Sequence, residues 1–329
     1  MKTKIMTMLL SFLFVPIYVF AYSDYLIASG ETIGVELRTD NVFIVGSYKI
    51  RNYDVLDNSD LMIGDKIVRI NNYEVTSAKS LQNAINNIDS DIVSLSYIRN
   101  GEKYTTTIPL YREDGVLKTG LYVRDSIRGV ASLTYIEPPS KENGNVASFG
   151  ALGHEIVEKT SKQRFPLDDG NIFSSVVTGV TKSVAGSPGE KNARSDSNDI
   201  LGTVSSNTSS GVFGTYTADI PKTKLYKVAE SSEVKTGSAK ILTVINGDKV
   251  EAFDINILKI NNNSNTKNIL FEVTDKKLLS KTGGIVQGMS GSPIIQGEYI
   301  IGAVNYVLVD SPKNGYGIFI TNMLKEAEN

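Results

Sequence analysis

The chain has 329 residues, 41% hydrophobic and 21% charged, with a formal net charge of −2. That length accommodates two ordinary domains, and the near-neutral charge without a basic run gives no electrostatic basis for binding nucleic acid. Cysteine and tryptophan are absent and histidine occurs once, at His154. This excludes disulfides, a cysteine nucleophile and zinc sites built on thiolates or several imidazoles, so no cofactor or metal is expected and imidazole chemistry has one candidate.

In chain order, MKTKIMTMLLSFLFVPIYVFAYS places Lys2 and Lys4 ahead of an apolar run from Ile5 to Ala21. This predicts a secretory signal peptide or short membrane anchor over residues 1–23, with small Val19 and Ala21 suited to cleavage after Ala21. The run is short for a spanning helix and Pro16 interrupts it. The body of the protein is expected outside the cytoplasm, either secreted or associated with the membrane through its N-terminus.

Residues 30–111 read as one unit. GETIGVEL and VFIVG are followed by LMIGDKIVRINNYEV, a helix at 77–88 and a hairpin around Asn100-Gly101. The helix shows Leu81, Ala84, Ile85 and Ile88 at helical spacing, with Ser77 as its N-cap. Alternating residues on either side of Asn-Gly predict a two-residue hairpin turn. The order and the I-G-V-E-L and I-G-D-x-I-x-x-I-N patterns resemble a bacterial PDZ domain. That resemblance implies that Gly34 and Val35 offer backbone N–H groups to the terminal carboxylate of a peptide or protein ligand.

From Gly120 onward, short apolar stretches such as GLYVRD, GVASLTYIEP, SAKILTVING and NILFEVTD alternate with Gly, Ser, Asn and Pro. Strands at that density predict a mostly β domain, a barrel or sandwich, over residues 118–329. Only LKEAEN hints at a helix. The polar run from Arg194 to Gly211 reads as long loops.

Residues 283–298 read GGIVQGMSGSPIIQGE. The apolar flanks predict two buried strands joined by a turn, and glycines beside Ser290 allow strained, closely approached backbone. A serine nucleophile needs such a turn, because its own N–H must face the oxyanion that its hydroxyl creates. The plain alternative is a surface turn of small residues. Ser292 is a weaker candidate, placed before Pro293. His154, in FGALGHEI, is by itself as readily a structural histidine. With a glycine-flanked serine downstream it becomes the base that a serine hydroxyl requires near neutral pH.

That order resembles a double β-barrel peptidase of the chymotrypsin type, with the histidine closing the first barrel. In this pattern Gly288 and Ser290 supply the oxyanion hole. More specifically, GETIG, GLYVRDS, GALGH, GSPGEKNAR, AKILTVINGDKVEAFDI and TGGIVQGMSGSPIIQ together resemble the stage IV sporulation protein B family of serine peptidases. The resemblance implies His154 as general base, Ser290 as nucleophile and Asp275 as the acid that orients the imidazole, with Asp248 and Asp254 in reserve. Met289 stands where digestive relatives carry an aspartate, so activation by a freed N-terminus paired there is not expected.

The resemblance further implies a sporulation signalling endopeptidase between mother cell and forespore. It would cut itself, around Tyr22 to Glu31, and a membrane-bound regulatory protein. The alternative is a catalytically silent PDZ-bearing scaffold in the same compartment.

Overall fold

The computed structural model describes residues 22–141 and 143–328. The expected signal or anchor at 1–23 lies, but for its last two residues, outside them. Among the described residues no helix is long and apolar enough to cross a membrane.

Two strands open the structure, β1 (Tyr25–Ala28) and the long β2 (Thr32–Ser47). A small domain follows, made of β3 (Lys66–Ile70), β4 (Tyr73–Glu74), helix α1 (Ala78–Asn86), β5 (Ile92–Arg99) and β6 (Glu102–Pro109), and then the β7 (Tyr111–Glu113) and β8 (Val116–Lys118) hairpin. Its local signals act as read. Ser77 and Ser80 form a reciprocal capping box on α1, and Asn100 and Gly101 both take positive φ in the turn between β5 and β6.

The chain returns through β9 (Leu121–Glu137), which runs antiparallel to β2 along nearly its whole length. The small domain is therefore inserted at the tip of a long hairpin stem. Its core runs from Val42 to Leu121, with Val123 against it, whereas the sequence placed the domain at 30–111. Residues 32–38 belong elsewhere. Ile33, Val35 and Leu37 point inward with Leu133, Phe149 and Ile172, because their alternation suits a strand as well as a loop.

This corrects the carboxylate-binding role expected of Gly34 and Val35. Gly34 lies between Val130 and Phe173, and Val35 between Gly129 and Ile172, on two paired neighbouring strands. That stretch of β2 has no open edge to receive a peptide. Further along, Phe43 is likewise paired on both sides, with Lys66 and Arg124.

The first barrel adds β10 (Ser148–Ala151), β11 (Asp169–Thr181), β12 (Glu190–Thr208) and β13 (Gly211–Tyr216). Antiparallel pairing runs β9–β2–β11–β12–β13–β10 and back to β9, which closes the ring. Most of the run read as loops at 194–211 is thus the long strand β12. Its side chains are polar because much of its length is exposed, while its backbone stays paired with β11 and β13.

After β14 (Leu225–Val228), the second barrel comprises β15 (Gly237–Val244), β16 (Val250–Ile260), β17 (Ile269–Val273), β18 (Pro293–Gln296), β19 (Tyr299–Val307) and β20 (Asn314–Phe319). Pairing runs β15–β16–β17–β20–β19–β18 and back to β15. Helix α2 (Lys276–Thr282) precedes the serine turn, and α3 (Ile320–Ala327) ends the fold. The fold is a mostly β, chymotrypsin-like double barrel. β1 pairs with both β9 and β14, and Leu26 is fully buried, so residues 25–28 are fixed in the sheet instead of forming a loose segment.

Candidate active site

Gly283 ends α2 in the left-handed conformation and turns the chain into Ile285, Val286 and Met289, all buried in the second barrel's core. Met289 is anchored there as an apolar side chain, its N–H donating to the Val286 carbonyl at 3.1 Å. These contacts pin both ends of a tight loop with Ser290 at its crest.

The loop's carbonyls are taken up one after another. Gln287 O accepts the Lys191 N–H at 2.9 Å, Gly288 O the Ser132 hydroxyl at 2.9 Å, Ser290 O the Ser132 N–H at 2.9 Å, and Gly291 O the Thr134 hydroxyl at 2.8 Å. The N–H groups of Gly288 and Ser290 meet no acceptor among the described residues. A planar trans peptide directs its N–H opposite to its C=O, so the Gly288 N–H points away from Lys191. Gly288 and Gly291 take φ of 90° and 92°, and a Cβ at Gly291 would lie 2.1 Å from the Ser132 carbonyl and 2.5 Å from the Leu152 nitrogen. Only glycine fits that close approach.

The histidine comes from the first barrel. After β10 the chain reverses through Leu152 and Gly153, at φ of 71° and 72°. The Leu152 N–H reaches the Ser132 carbonyl at 3.3 Å. Ser132 therefore contacts both the histidine turn and the serine turn. His154 Nδ1 lies 2.8 Å from the Glu155 carbonyl oxygen. Since a carbonyl only accepts, Nδ1 carries the proton and Nε2 keeps its lone pair, the tautomer a general base needs. Burial pushes the imidazole below its ordinary pKa, opposed by the Glu155 carbonyl and carboxylate. Its ring stacks on Tyr306, 5.6 Å between centroids.

His154 and Ser290 line one cleft of about 570 Å³, whose walls include Ile156, Val157, Ile285, Tyr306 and Val307. The Ser290 hydroxyl rests on the Asn305 carbonyl at 3.3 Å, and no hydrogen bond joins it to His154 in this structure. His154 and Ser290 thus share a cleft with the serine hydroxyl turned aside.

Asp275 is placed differently from the sequence expectation. Its carboxylate accepts the Leu278 N–H at 2.9 Å as the N-cap of α2, and it is absent from the cleft lining. An aspartate just ahead of a short helix satisfies a free N–H there, which accounts for its place in the sequence. The reserve candidates are no nearer: Asp254 pairs with Lys240 at the surface and Asp248 is exposed beyond β15. The Glu155 carboxylate, paired with Arg164, raises the His154 pKa by its charge, while the ring itself bonds the Glu155 backbone carbonyl.

Ser292 is fully buried and bonded to the hydroxyls of Thr243 and Ser132, so it belongs to the support of the turn. Ser132, Thr134, Lys191 and Thr243 escaped the sequence reading. The only signal was small hydroxylated residues at inward positions of apolar strands. Among the described residues no cluster of acidic or imidazole groups is suited to a metal.

Compared with known protein families, residues 115–324 match that of the SpoIVB peptidase S55. A search of curated proteins returned no match.

Proposed function

The chain belongs to the SpoIVB peptidase S55 family, SpoIVB-like sporulation serine peptidases acting on protein substrates, and from that premise we propose that Ser290 is its nucleophile and His154 its general base. The N–H groups of Gly288 and Ser290 form the oxyanion hole. The observation that carries this reading is the serine turn itself. Four of its carbonyls are held on one side, while two unaccepted N–H groups flank a serine in the cleft that also holds the sole histidine.

In the reaction, the Ser290 hydroxyl leaves the Asn305 carbonyl and turns to Nε2 of His154. The imidazole takes its proton as Oγ attacks the substrate carbonyl, and the oxyanion settles on the two N–H donors. His154 then protonates the departing amine. Water, activated by the same imidazole, hydrolyses the acyl-enzyme. The Glu155 carbonyl keeps the imidazole oriented, the task an aspartate performs in related peptidases. The apolar cleft walls favour apolar side chains beside the scissile bond.

The substrates are a membrane-bound regulatory protein and the enzyme itself, in the space between mother cell and forespore. Two things support this reading: the signal-like N-terminal segment and the family's role in sporulation. Because β1 is held in the sheet, self-cleavage falls ahead of Tyr25. The small domain acts as a PDZ-like module, and a ligand would use the outer edge of β6 or displace β9 from β2.

The test is incubation of the purified chain from Tyr22 with an unfolded protein substrate, beside Ser290→Ala and His154→Ala variants. Cleavage by the unaltered chain alone is expected. Equal inertness of all three, each folded, would favour the silent scaffold.

A further inference from the structure

Lys191, on β12, is buried to 5% exposure and has no carboxylate partner. Its ammonium reaches the hydroxyls of Thr243 at 2.9 Å, Thr32 at 3.2 Å and Ser132 at 3.3 Å. Three donors thus meet three acceptors, the full hydrogen-bonding capacity of a charged lysine. Each of those residues is itself buried. An ion held in the interior without a counter-ion is costly and calls for a compensating role.

The serine turn is wrapped around this residue. The Lys191 N–H holds the Gln287 carbonyl, which orients the peptide bearing the Gly288 N–H. Its aliphatic stem lies under Gly288, where an added Cβ would be 3.2–3.3 Å from three of its carbons. Its ammonium holds Ser132 Oγ, which in turn donates to the Gly288 carbonyl. Ser292 completes the ring by bonding to Ser132 and Thr243.

We propose that Lys191 is a positioning residue for the oxyanion hole: its backbone N–H holds the peptide before Gly288, and its side-chain nitrogen, acting through Ser132, holds the peptide after it. It does not touch substrate. With Met289 serving as a core anchor, this internal lysine takes over the ordering of the turn. The consequence for catalysis rests on Ser290 being the nucleophile, but the effect on the turn does not.

The experiment compares the unaltered chain with Lys191→Met, similar in length and uncharged, and with Ser132→Ala, which cuts the relay if the lysine variant fails to fold. Two readouts are taken. Amide hydrogen exchange of segment 285–292 reports the turn directly and is expected to quicken about ten-fold or more in folded Lys191→Met, with the second barrel's strands unchanged. Phosphonylation of Ser290 by a fluorophosphonate probe is expected to slow about ten- to a hundred-fold in its maximal rate, with the half-saturating probe concentration unaltered. The double variant should be no slower than the worse single one.

Unchanged exchange and unchanged labelling in a folded Lys191→Met variant would overturn the proposal. So would a change in half-saturation alone. Faster exchange together with an unaltered chain that the probe never labels would uphold the positioning role while removing Ser290 as nucleophile.

Discussion

The backbone N–H of Ser132, on a first-barrel strand, donates to the carbonyl of Ser290, on a second-barrel turn, at 2.9 Å. The Ser132 carbonyl accepts the N–H of Leu152, two residues before His154. One residue of β9 therefore holds the His154 turn and the Ser290 turn in register. The same strand runs on as the stem of the small domain, pairing with β2 as far as Leu121. The stem of the inserted domain and the contact to the serine turn thus lie on one continuous strand.

Gly291 is where this seam is tightest, and Gly291→Ala should be the most damaging conservative change in the turn. Its methyl group would meet two backbone atoms of the first barrel, at a φ that side chains avoid. A loss above about 4 kcal/mol of stability is expected, with no measurable activity. Gly288→Ala meets the Lys191 stem at 3.2–3.3 Å and not backbone at 2.1 Å, so it should cost less stability while still impairing the oxyanion hole. Urea unfolding and activity measured side by side check both.

Asp275 provides a sharp contrast between two roles. As an N-cap it is replaceable by asparagine, which caps a helix equally well. Asp275→Asn should keep activity within a few-fold, and Asp275→Ala should lose about 1 kcal/mol of stability. An orienting acid would behave otherwise, its amide variant falling about ten-thousand-fold in kcat. Kinetics of the asparagine variant distinguish the two.

The parts legible in the sequence were those set by neighbouring residues. Ser77 capping α1, Asn100-Gly101 turning the hairpin and the positive φ of Gly288 and Gly291 are local to their own turns. Roles that depend on distant packing were not legible. Ser132 and Thr134 in ASLTYIEP look like ordinary inward strand residues until the second barrel brings Gly288, Ser290 and Gly291 against them. Lys191 in GEKNAR reads as a surface lysine. Gly34 and Val35 read as a binding loop because alternating residues look alike whether an edge is open or paired.

As the proposed general base, His154 should set the acid side of the activity profile. Burial holds its pKa below the ordinary imidazole value, so the ring stays neutral, and able to accept a proton, to lower pH than a free histidine does. The acid-side fall in rate should therefore lie at lower pH than an ordinary imidazole would give. Glu155 raises this pKa, so Glu155→Gln should move the fall to lower pH. A pH profile of kcat/KM for the two proteins measures the direction.

Lys191 makes stability depend on pH with the opposite sense to an ion-paired lysine. Burial lowers its pKa to about 7, whereas in the unfolded chain the value is about 10.4. Between these values the unfolded state binds more protons, so stability rises as pH increases from about 7 into the ordinary lysine range, and the full penalty is present below 7. Lys191→Met should abolish that rise and be as stable as, or more stable than, the unaltered chain near pH 7. Denaturant titrations across this range give the slope.

The central claim is that Ser290, activated by His154, is the nucleophile of this double barrel. The most direct measurement is mass-spectrometric mapping of the fluorophosphonate adduct on the folded chain from Tyr22. The account predicts a single adduct on Ser290 in the unaltered and Asp275→Asn proteins and none in His154→Ala. An adduct on Ser292 or elsewhere, or labelling that survives His154→Ala unchanged, would contradict it.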